Sequence, residues 1–238
     1  MDTDIARAAA LIADASRARI LKALCDGRSI AATVLAHEAG VSGPTASAHL
    51  AKLVEAGLVT AQRFGRTRRY RLARPEVADA LEALALIAPP LPVTSLRQSV
   101  RADALKRSRT CYDHLAGQLG VQLMDVLLDT GVLTRTDGEH VYDRPASYGR
   151  DHHYELTDAA TLHQLGVETR RGRRPLIRYC VDWSEERHHL AGALGAAITS
   201  RLFALGWLRH GVSPRVVHLT EAGADGLTDA FGVSVRPT

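Results

Sequence analysis

The sequence is poor in aromatic residues and cysteines and has no long apolar run, and each shortage excludes a class of protein. Aromatic residues make up 5% of its 238 residues, so a core must consist mainly of Ala, Leu and Val, which favours helices. The three cysteines are far apart and form no Cys-x-x-Cys pair, which argues against a disulfide scaffold or a zinc ribbon. No stretch approaches the roughly 18 consecutive apolar residues of a membrane span, so no membrane association is expected.

Sequence motifs of common enzymes and of export are missing as well. The chain has no nucleophile elbow, phosphate loop, dinucleotide fingerprint or His-Glu-x-x-His pair, which argues against an enzyme and against a bound cofactor. Met1-Asp-Thr-Asp4 lacks the basic start and apolar stretch of a signal peptide, so a cytoplasmic protein of bacterial type is expected.

Positive charge is concentrated in one short segment. The formal net charge is only +4, but six arginines with no acid among them lie between positions 63 and 74. They are Arg63, Arg66, Arg68, Arg69, Arg71 and Arg74. Such an excess is typical of a surface that binds phosphate, although a solvated charged hairpin would have the same composition.

An amphipathic helix precedes this segment. Ser42 is placed to cap it, and Pro44 falls in its first turn, where the missing N–H costs nothing. Ala46, Leu50, Leu53 and Val54 recur at helical spacing and should face the core. The other face carries Thr45, Ser47, His49 and Lys52. Short hydrogen-bonding side chains that face outward suit close approach to the major groove of DNA.

The surrounding pattern predicts a winged helix-turn-helix. Residues 58–64 and 67–72 alternate and are joined at Gly65-Arg66, which indicates a hairpin. Further helices are expected at 4–13, from a cap at Ser16 to about 26, at 29–39 before Gly40, and at 76–87 after Pro75. The apolar stripe of the last helix would be Val77, Leu81, Leu84 and Ile87.

Residues 11–88 resemble the ArsR/SmtB family of bacterial winged-helix repressors. The matching motifs include Leu35-Ala-His-Glu-Ala-Gly-Val-Ser42 and Gly65-Arg-Thr-Arg-Arg-Tyr-Arg-Leu72. The resemblance implies a homodimer, paired through its first and last helices, that binds a two-fold-symmetric operator in duplex DNA. The DNA-binding set that results comprises Ser42, Thr45, Ser47, His49, Lys52, Arg63, Arg66, Arg68 and Arg69.

The chain departs from this family where metal-sensing members carry ligands. Such members have a Cys-x-Cys motif on the helix before the turn, but residues 30–36 here read Ile-Ala-Ala-Thr-Val-Leu-Ala. Others place Asp and His on the last helix, which here has acids but no histidine. Cys25 is expected to be a buried core thiol. Ala48 replaces a common arginine, so the operator preference does not carry over.

The C-terminal two thirds contain an internal repeat. His114-Leu-Ala-Gly-Gln-Leu-Gly120 recurs as His189-Leu-Ala-Gly-Ala-Leu-Gly195, and each copy follows a Cys-x-Asp triplet. Each copy is predicted to form helix, turn, helix, hairpin and helix, which is the order of a winged helix. We interpret the copies as degenerate winged helices, because their second helix lacks the outward polar side chains that could contact DNA bases. The predicted fold is therefore mainly α with small β-hairpins (α+β), in three domains at 1–90, 95–168 and 175–238. A basic helix at 95–109 and an arginine linker at 170–174 would join them.

Several chemistries remain open for this part. We expect a pocket for a small organic effector, lined by Cys111, Tyr112, His114, Cys180, Trp183 and Trp207. A metal site is an alternative, with ligands from Cys111 and His114 on one helical face, Cys180, Asp182, His188, His189 and Asp151-His-His153. A redox role for Cys111 and Cys180, or a plain core role, is also open.

The sequence thus predicts a homodimeric transcriptional repressor that is released from its operator by a signal sensed in the C-terminal region. The alternatives are a constitutive or architectural DNA-binding protein without an effector, and a sensor of metal or redox state.

Overall fold

A computed structural model describes residues 3–89, 91–136, 153–169 and 174–232. The chain divides into two units, Met1–Ala85 and Leu86–Thr238, here called unit 1 and unit 2. The repeats predicted at 95–168 and 175–238 both lie in unit 2 and share one hydrophobic core, so we treat them as its two halves. Most of the predicted arginine linker, residues 170–173, lies outside the described part of the chain.

Unit 1 is a helix-turn-helix followed by a wing. Its elements are α1 (Ile5–Ile12), α2 (Ala15–Leu24), β1 (Ile30–Ala31), α3 (Ala32–Ala39), α4 (Gly43–Glu55), β2 (Val59–Phe64), β3 (Thr67–Leu72) and α5 (Pro75–Ile87). Strand β3 pairs antiparallel with both β1 and β2. The helices α3 and α4 are joined through Gly40, which adopts the left-handed conformation that ends α3 (φ 69°).

Local signals explain most of these boundaries. The Ser42 hydroxyl caps α4 by accepting the Thr45 backbone N–H at 3.3 Å, as the sequence predicted. The predicted cap of α2 was wrong, because Asp14 rather than Ser16 accepts the Arg17 backbone N–H, at 2.8 Å. Both residue types cap helices, and pattern alone did not rank them. The predicted start of the third helix was also wrong, since residues 30–31 pair with β3 before α3 begins.

The core of unit 1 lies between α2, α3, α4 and the sheet. Buried members include Ile20, Leu24, Leu35, Leu50, Leu53, Tyr70 and Leu72. Cys25 is fully buried among them, which confirms its expected role as a core thiol. Val54 is only partly buried. The predicted stripe of α5 holds only in its first turn, because Leu84 and Ile87 are 42% and 79% exposed.

Unit 2 repeats one sequence of elements. It comprises α6 (Leu96–Arg107), β4 (Arg109–Cys111), β5 (His114–Ala116), α7 (Gln118–Asp129), β6 (Leu133–Arg135), β7 (Tyr154–Leu156), α8 (Ala160–Gln164), β8 (Arg178–Val181), β9 (His188–Ala191), α9 (Gly192–Ala204), β10 (Leu208–His210), β11 (Val217–Leu219) and α10 (Glu221–Phe231). After α6, each of the two halves consists of a hairpin, a helix, a second hairpin and a second helix. None of the helices in the described residues is long and apolar enough to cross a bilayer.

The first predicted helix of each repeat was wrong. The His-Leu-Ala segment forms strand β5 in one half and β9 in the other, and the last glycine of the motif lies inside the helix that follows. Cys111 and His114 therefore do not share a helical face. Three positions separate them, and this spacing fits one helical turn as well as it fits a hairpin with a two-residue loop.

Candidate functional site

The outward face of α4 carries hydroxyl and amino groups. Thr45, Ser47 and Lys52 are exposed on it, while Ala46, Leu50 and Leu53 are buried. The Ser42 and Thr45 hydroxyl oxygens lie 2.8 Å apart at the start of the helix. This polar face meets solvent as the sequence predicted, and its short side chains leave room for a close partner.

His49 is the exception on this face. Its side chain is only 17% exposed, and its Nδ1 lies 3.8 Å from an Asp14 carboxylate oxygen. The pKa of Asp14 is lowered by the hydrogen bond from the Arg17 backbone, and the charges of Arg17 and His49 also favour the carboxylate. His49 thus connects α4 with the N-terminus of α2, which the sequence reasoning did not foresee.

The arginines of the wing lie on both faces of its hairpin. Arg63 and Arg68 are paired across β2 and β3, so their side chains project on the same face. Arg66 lies in the turn, and all three are exposed. Arg69 points to the opposite face, where its Nη1 donates to the Ser29 carbonyl oxygen at 3.3 Å. Arg69 and Arg71 are exposed as well, so five arginines of the wing are presented to solvent, and Arg69 also ties the wing to the loop before β1.

A second group of chemically active side chains lies in unit 2. Cys111 is the cross-strand partner of His114 in one hairpin, and Cys180 is the cross-strand partner of His189 in the other. Directly opposed residues of an antiparallel pair project on the same face. Each hairpin therefore presents one thiol and one imidazole side by side.

The two hairpins bring these four side chains together. One ligand atom from each of Cys111, His114, Cys180 and His189 lies within 4.8 Å of all the others. The two imidazole centroids are 5.2 Å apart. Cys180 is partly buried and the other three are buried. We call this group the Cys-His cluster.

Only some of the residues predicted to line an effector pocket lie close to one another. Cys111, His114 and Cys180 belong to the Cys-His cluster, whereas the Trp183 ring lies 4.3 Å from the Arg109 guanidinium. Tyr112 lies in the loop of the first hairpin with a positive φ of 61°. Trp207 packs against the core of unit 2.

Of the residues predicted as alternative metal ligands, four lie together in the Cys-His cluster. His188 directs its Nδ1 to the Tyr154 hydroxyl at 2.6 Å instead of joining the Cys-His cluster. Asp151 and His152 lie outside the described residues, and the His153 carbonyl accepts a hydrogen bond from Thr136 beside the second hairpin. The signal that could have found the arrangement is the two-residue loop Tyr112-Asp113, which places a cysteine opposite a histidine.

An acid faces each histidine of the Cys-His cluster. His114 Nδ1 lies 3.3 Å from an Asp113 carboxylate oxygen, and His189 Nδ1 lies 3.5 Å from Asp182 Oδ2. Nε2 of both rings is buried and has no hydrogen-bond partner, and His189 Nδ1, although close to Asp182, has none either. The repeated Cys-x-Asp triplet thus supplies a thiol and an acid to each half.

Asp182 also joins the two halves of unit 2. It accepts hydrogen bonds from the Arg109 guanidinium at 2.8 Å, the Gly117 backbone at 2.6 Å and the Ser184 hydroxyl at 2.7 Å. Burial would raise the pKa of Asp182, but the positive charge of Arg109 and the remaining partners outweigh it and lower the pKa. The carboxylate is therefore charged although its side chain is fully buried.

The two histidines differ in protonation. Burial opposes the charge of His114, but the negative charges of Cys111 and Asp113 outweigh it and raise its pKa to about 9. Burial and the charge of His114 lower the pKa of His189 well below its ordinary value. The two imidazoles therefore differ, because the buried surroundings favour the charged form of His114 and the neutral form of His189.

The repeated glycines let the halves approach each other. A Cβ at Gly195 would lie 2.6 Å from the Leu190 carbonyl oxygen and 3.2 Å from His114 Cβ. A Cβ at Gly120 would likewise meet a backbone oxygen at 2.6 Å, and it would lie 3.7 Å from His189 Cβ. Each half therefore packs its helix start against the histidine of the other half.

Comparison with known proteins agrees with this architecture. A family model described as a helix-turn-helix domain matches residues 12–62. The uncharacterized HTH-type transcriptional regulator YdfF of Bacillus subtilis is 39% identical over 228 residues, which cover 94% of this chain and 95% of that protein. The HTH-type transcriptional regulator KmtR of Mycobacterium tuberculosis is 42% identical over 67 residues, which cover 28% of this chain and 51% of that protein.

One solved structure is the homodimeric winged helix-turn-helix DNA-binding domain of Mycobacterium bovis Mb0332. It is 34% identical, covers 35% of this chain and 76% of its own, and gives a TM-score of 0.33. The match to YdfF extends over both units, and the winged helix of unit 1 carries the motifs that the sequence pointed to. The chain belongs to the ArsR family of winged helix-turn-helix transcriptional regulators, which bind DNA.

Proposed function

We propose that this regulator is a homodimeric repressor that binds a two-fold-symmetric operator through α4 and the β2–β3 wing, and that unit 2 receives the signal that releases it. The observation that carries the proposal is the exposed polar face of α4, followed at once by a wing with five solvent-exposed arginines. A helix for the major groove and cations for the flanking phosphates are the two parts that such binding needs.

The contacts divide by side-chain type. Thr45 and Ser47 are short enough for base edges in the major groove, and Lys52 reaches a base or a phosphate. Ser42 orders the N-terminus of α4, whose free backbone N–H groups favour phosphate. Arg63, Arg66 and Arg68 neutralise phosphates from the wing.

Two residues of the predicted set receive a positioning role. His49 is held beside Asp14, and Arg69 is bonded to the Ser29 carbonyl oxygen. Both contacts lie within unit 1. They hold α4, the proposed recognition helix, and the wing in the geometry that DNA contact requires.

Exposed apolar side chains support self-association. Ile5 on α1 is 73% exposed and Leu84 on α5 is 42% exposed. The family resemblance implies pairing through the first and last helices, and a second copy of the chain would cover these side chains. Two recognition helices related by a two-fold axis would then read the two halves of one operator. In this proposal the protein binds DNA and catalyses no reaction. It would act in the bacterial cytoplasm, where the chromosome lies.

Selection of duplexes from a random pool by the intact protein tests this proposal. We expect the bound duplexes to share an inverted repeat, because a symmetric dimer presents its two reading helices in opposite directions. Ser47→Ala should weaken binding of the selected duplex about tenfold, since a good base contact contributes about 1–3 kcal/mol. Glu76→Gln is the control, because Glu76 is exposed on α5 and outside the proposed surface. A pool without any enriched motif, or equal effects of the two substitutions, would contradict the proposal.

A further inference from the structure

We propose that unit 2 contains a metal site of the zinc class, in which Cys111, His114, Cys180 and His189 are the four ligands. Each repeat supplies one thiolate and one imidazole, so the ion would lie between the halves. The proposal is independent of the DNA-binding role, and it concerns residues outside the winged helix.

The donor set matches a tetrahedral cation. Structural zinc sites bind four Cys or His ligands at about 2.0–2.3 Å, which places neighbouring ligand atoms about 3.3–3.8 Å apart in a tetrahedron. The ligand atoms of the Cys-His cluster already lie within 4.8 Å of one another. Shifts of about an ångström, within reach of side-chain rotation, would complete the site. Two thiolates also balance the charge of a divalent cation.

The histidines supply the second observation. Both Nε2 atoms are buried without a hydrogen-bond partner, which costs free energy in a protein interior. His114 Nδ1 lies 3.3 Å from an Asp113 carboxylate oxygen, and His189 Nδ1, which also has no hydrogen-bond partner, lies 3.5 Å from an Asp182 carboxylate oxygen. An acid behind a histidine is the usual outer shell of a zinc site, because it orients the ring and directs its other nitrogen at the metal.

The same donors select the class of ion. Thiolate and imidazole suit Zn²⁺, Cd²⁺, Co²⁺ and Cu⁺, whereas Mg²⁺ and Ca²⁺ prefer oxygen ligands, which the four members of the Cys-His cluster do not offer. The competing account is a Cys111–Cys180 disulfide, which would use the two thiols and leave the histidines without a role.

Metal binding by the intact protein, purified under reducing conditions, tests the site. We expect one Zn²⁺ per chain in titration against a chromophoric chelator. Co²⁺ should give the thiolate charge-transfer band and the strong d–d bands of a tetrahedral site. The Co²⁺ spectrum of the wild type reports sulfur ligation directly, and it does not depend on whether a variant folds.

Matched variants locate the ion. Cys180→Ser and His189→Gln should each weaken Zn²⁺ binding by more than the roughly 10–100-fold that loss of an outer-shell group causes. His188→Gln and Cys25→Ala should bind Zn²⁺ like the wild type, because His188 contacts Tyr154 and Cys25 lies in unit 1. The proposal is overturned if the wild type takes up no stoichiometric ion. It is equally overturned if both ligand variants keep full affinity, or if only a Cys111–Cys180 disulfide forms.

Discussion

Arg109 and Asp182 form a buried ion pair between the two halves of unit 2. Both side chains are fully buried, and their charged atoms are 2.8 Å apart. Burial of two charges costs free energy of desolvation. The attraction between the two charges and the hydrogen bonds that Asp182 accepts from Gly117 and Ser184 offset this cost. Loss of one partner would leave the other charge uncompensated inside the protein.

Asp182→Asn tests this pair. We expect the free energy of unfolding to fall by about 3–5 kcal/mol, the usual cost of breaking a buried ion pair from one side. Asp125→Asn is the matched control, because Asp125 and Arg187 form a partly exposed pair that should contribute about 1 kcal/mol or less. Denaturant unfolding of both variants measures the difference, and equal losses would disprove the special role of the buried pair.

Single residues could be predicted from sequence only where a local rule decides. Ser42 was identified as a cap because no rival acceptor precedes its helix, whereas Asp14 and Ser16 competed for α2. The inward turn of His49 depends on Asp14, which is 35 positions away in sequence and could not be paired with it by pattern.

At the scale of elements, close packing explains why the last position of the repeated motif is glycine in both halves. Helix α9 begins against the carbonyl of Leu190 and the side chain of His114, and Gly195 leaves the space that this contact needs. The corresponding contact in the other half involves Gly120 and His189.

Gly195→Ala should therefore destabilise unit 2, although alanine favours helices. The new Cβ meets a backbone oxygen that cannot move aside cheaply, and overpacking of this kind costs about 1–3 kcal/mol. Gly43→Ala is the control, since a Cβ there meets nothing within 4 Å, and it should leave stability unchanged or raise it. Thermal unfolding distinguishes the two, and an unaltered transition in Gly195→Ala would refute the packing account.

The length of an element decided whether sequence could predict it. The helices of unit 1 and the six-residue strands of the wing show a full period of apolar residues. The strands β4 and β5 have three residues each and β1 has two, which is too short for an alternation to appear. The first hairpin of the Cys-His cluster was missed for this reason. The strands β8 and β9 of the second hairpin have four residues each, the shortest run in which an alternation can be recognised.

For the whole molecule, sequence distance separates what could be predicted from what could not. The proposed DNA-binding surface lies between residues 42 and 69, so its helix and wing are visible as neighbouring patterns. The Cys-His cluster joins His114 to His189, 75 positions apart, through packing between the two halves. The repeat revealed that these residues correspond, but only the folded chain brings them together.

The dependence of duplex-DNA affinity on salt concentration tests the central claim most directly. Fluorescence anisotropy with the intact wild type should show a steep loss of affinity as salt rises, and Arg68→Ala should reduce the logarithmic slope by about 0.9 per subunit. Arg71→Ala is the control, because Arg71 lies about 10 Å farther along the same strand and outside the proposed contacts. Binding that is insensitive to salt, or equal slopes for Arg68→Ala and Arg71→Ala, would contradict the proposed surface.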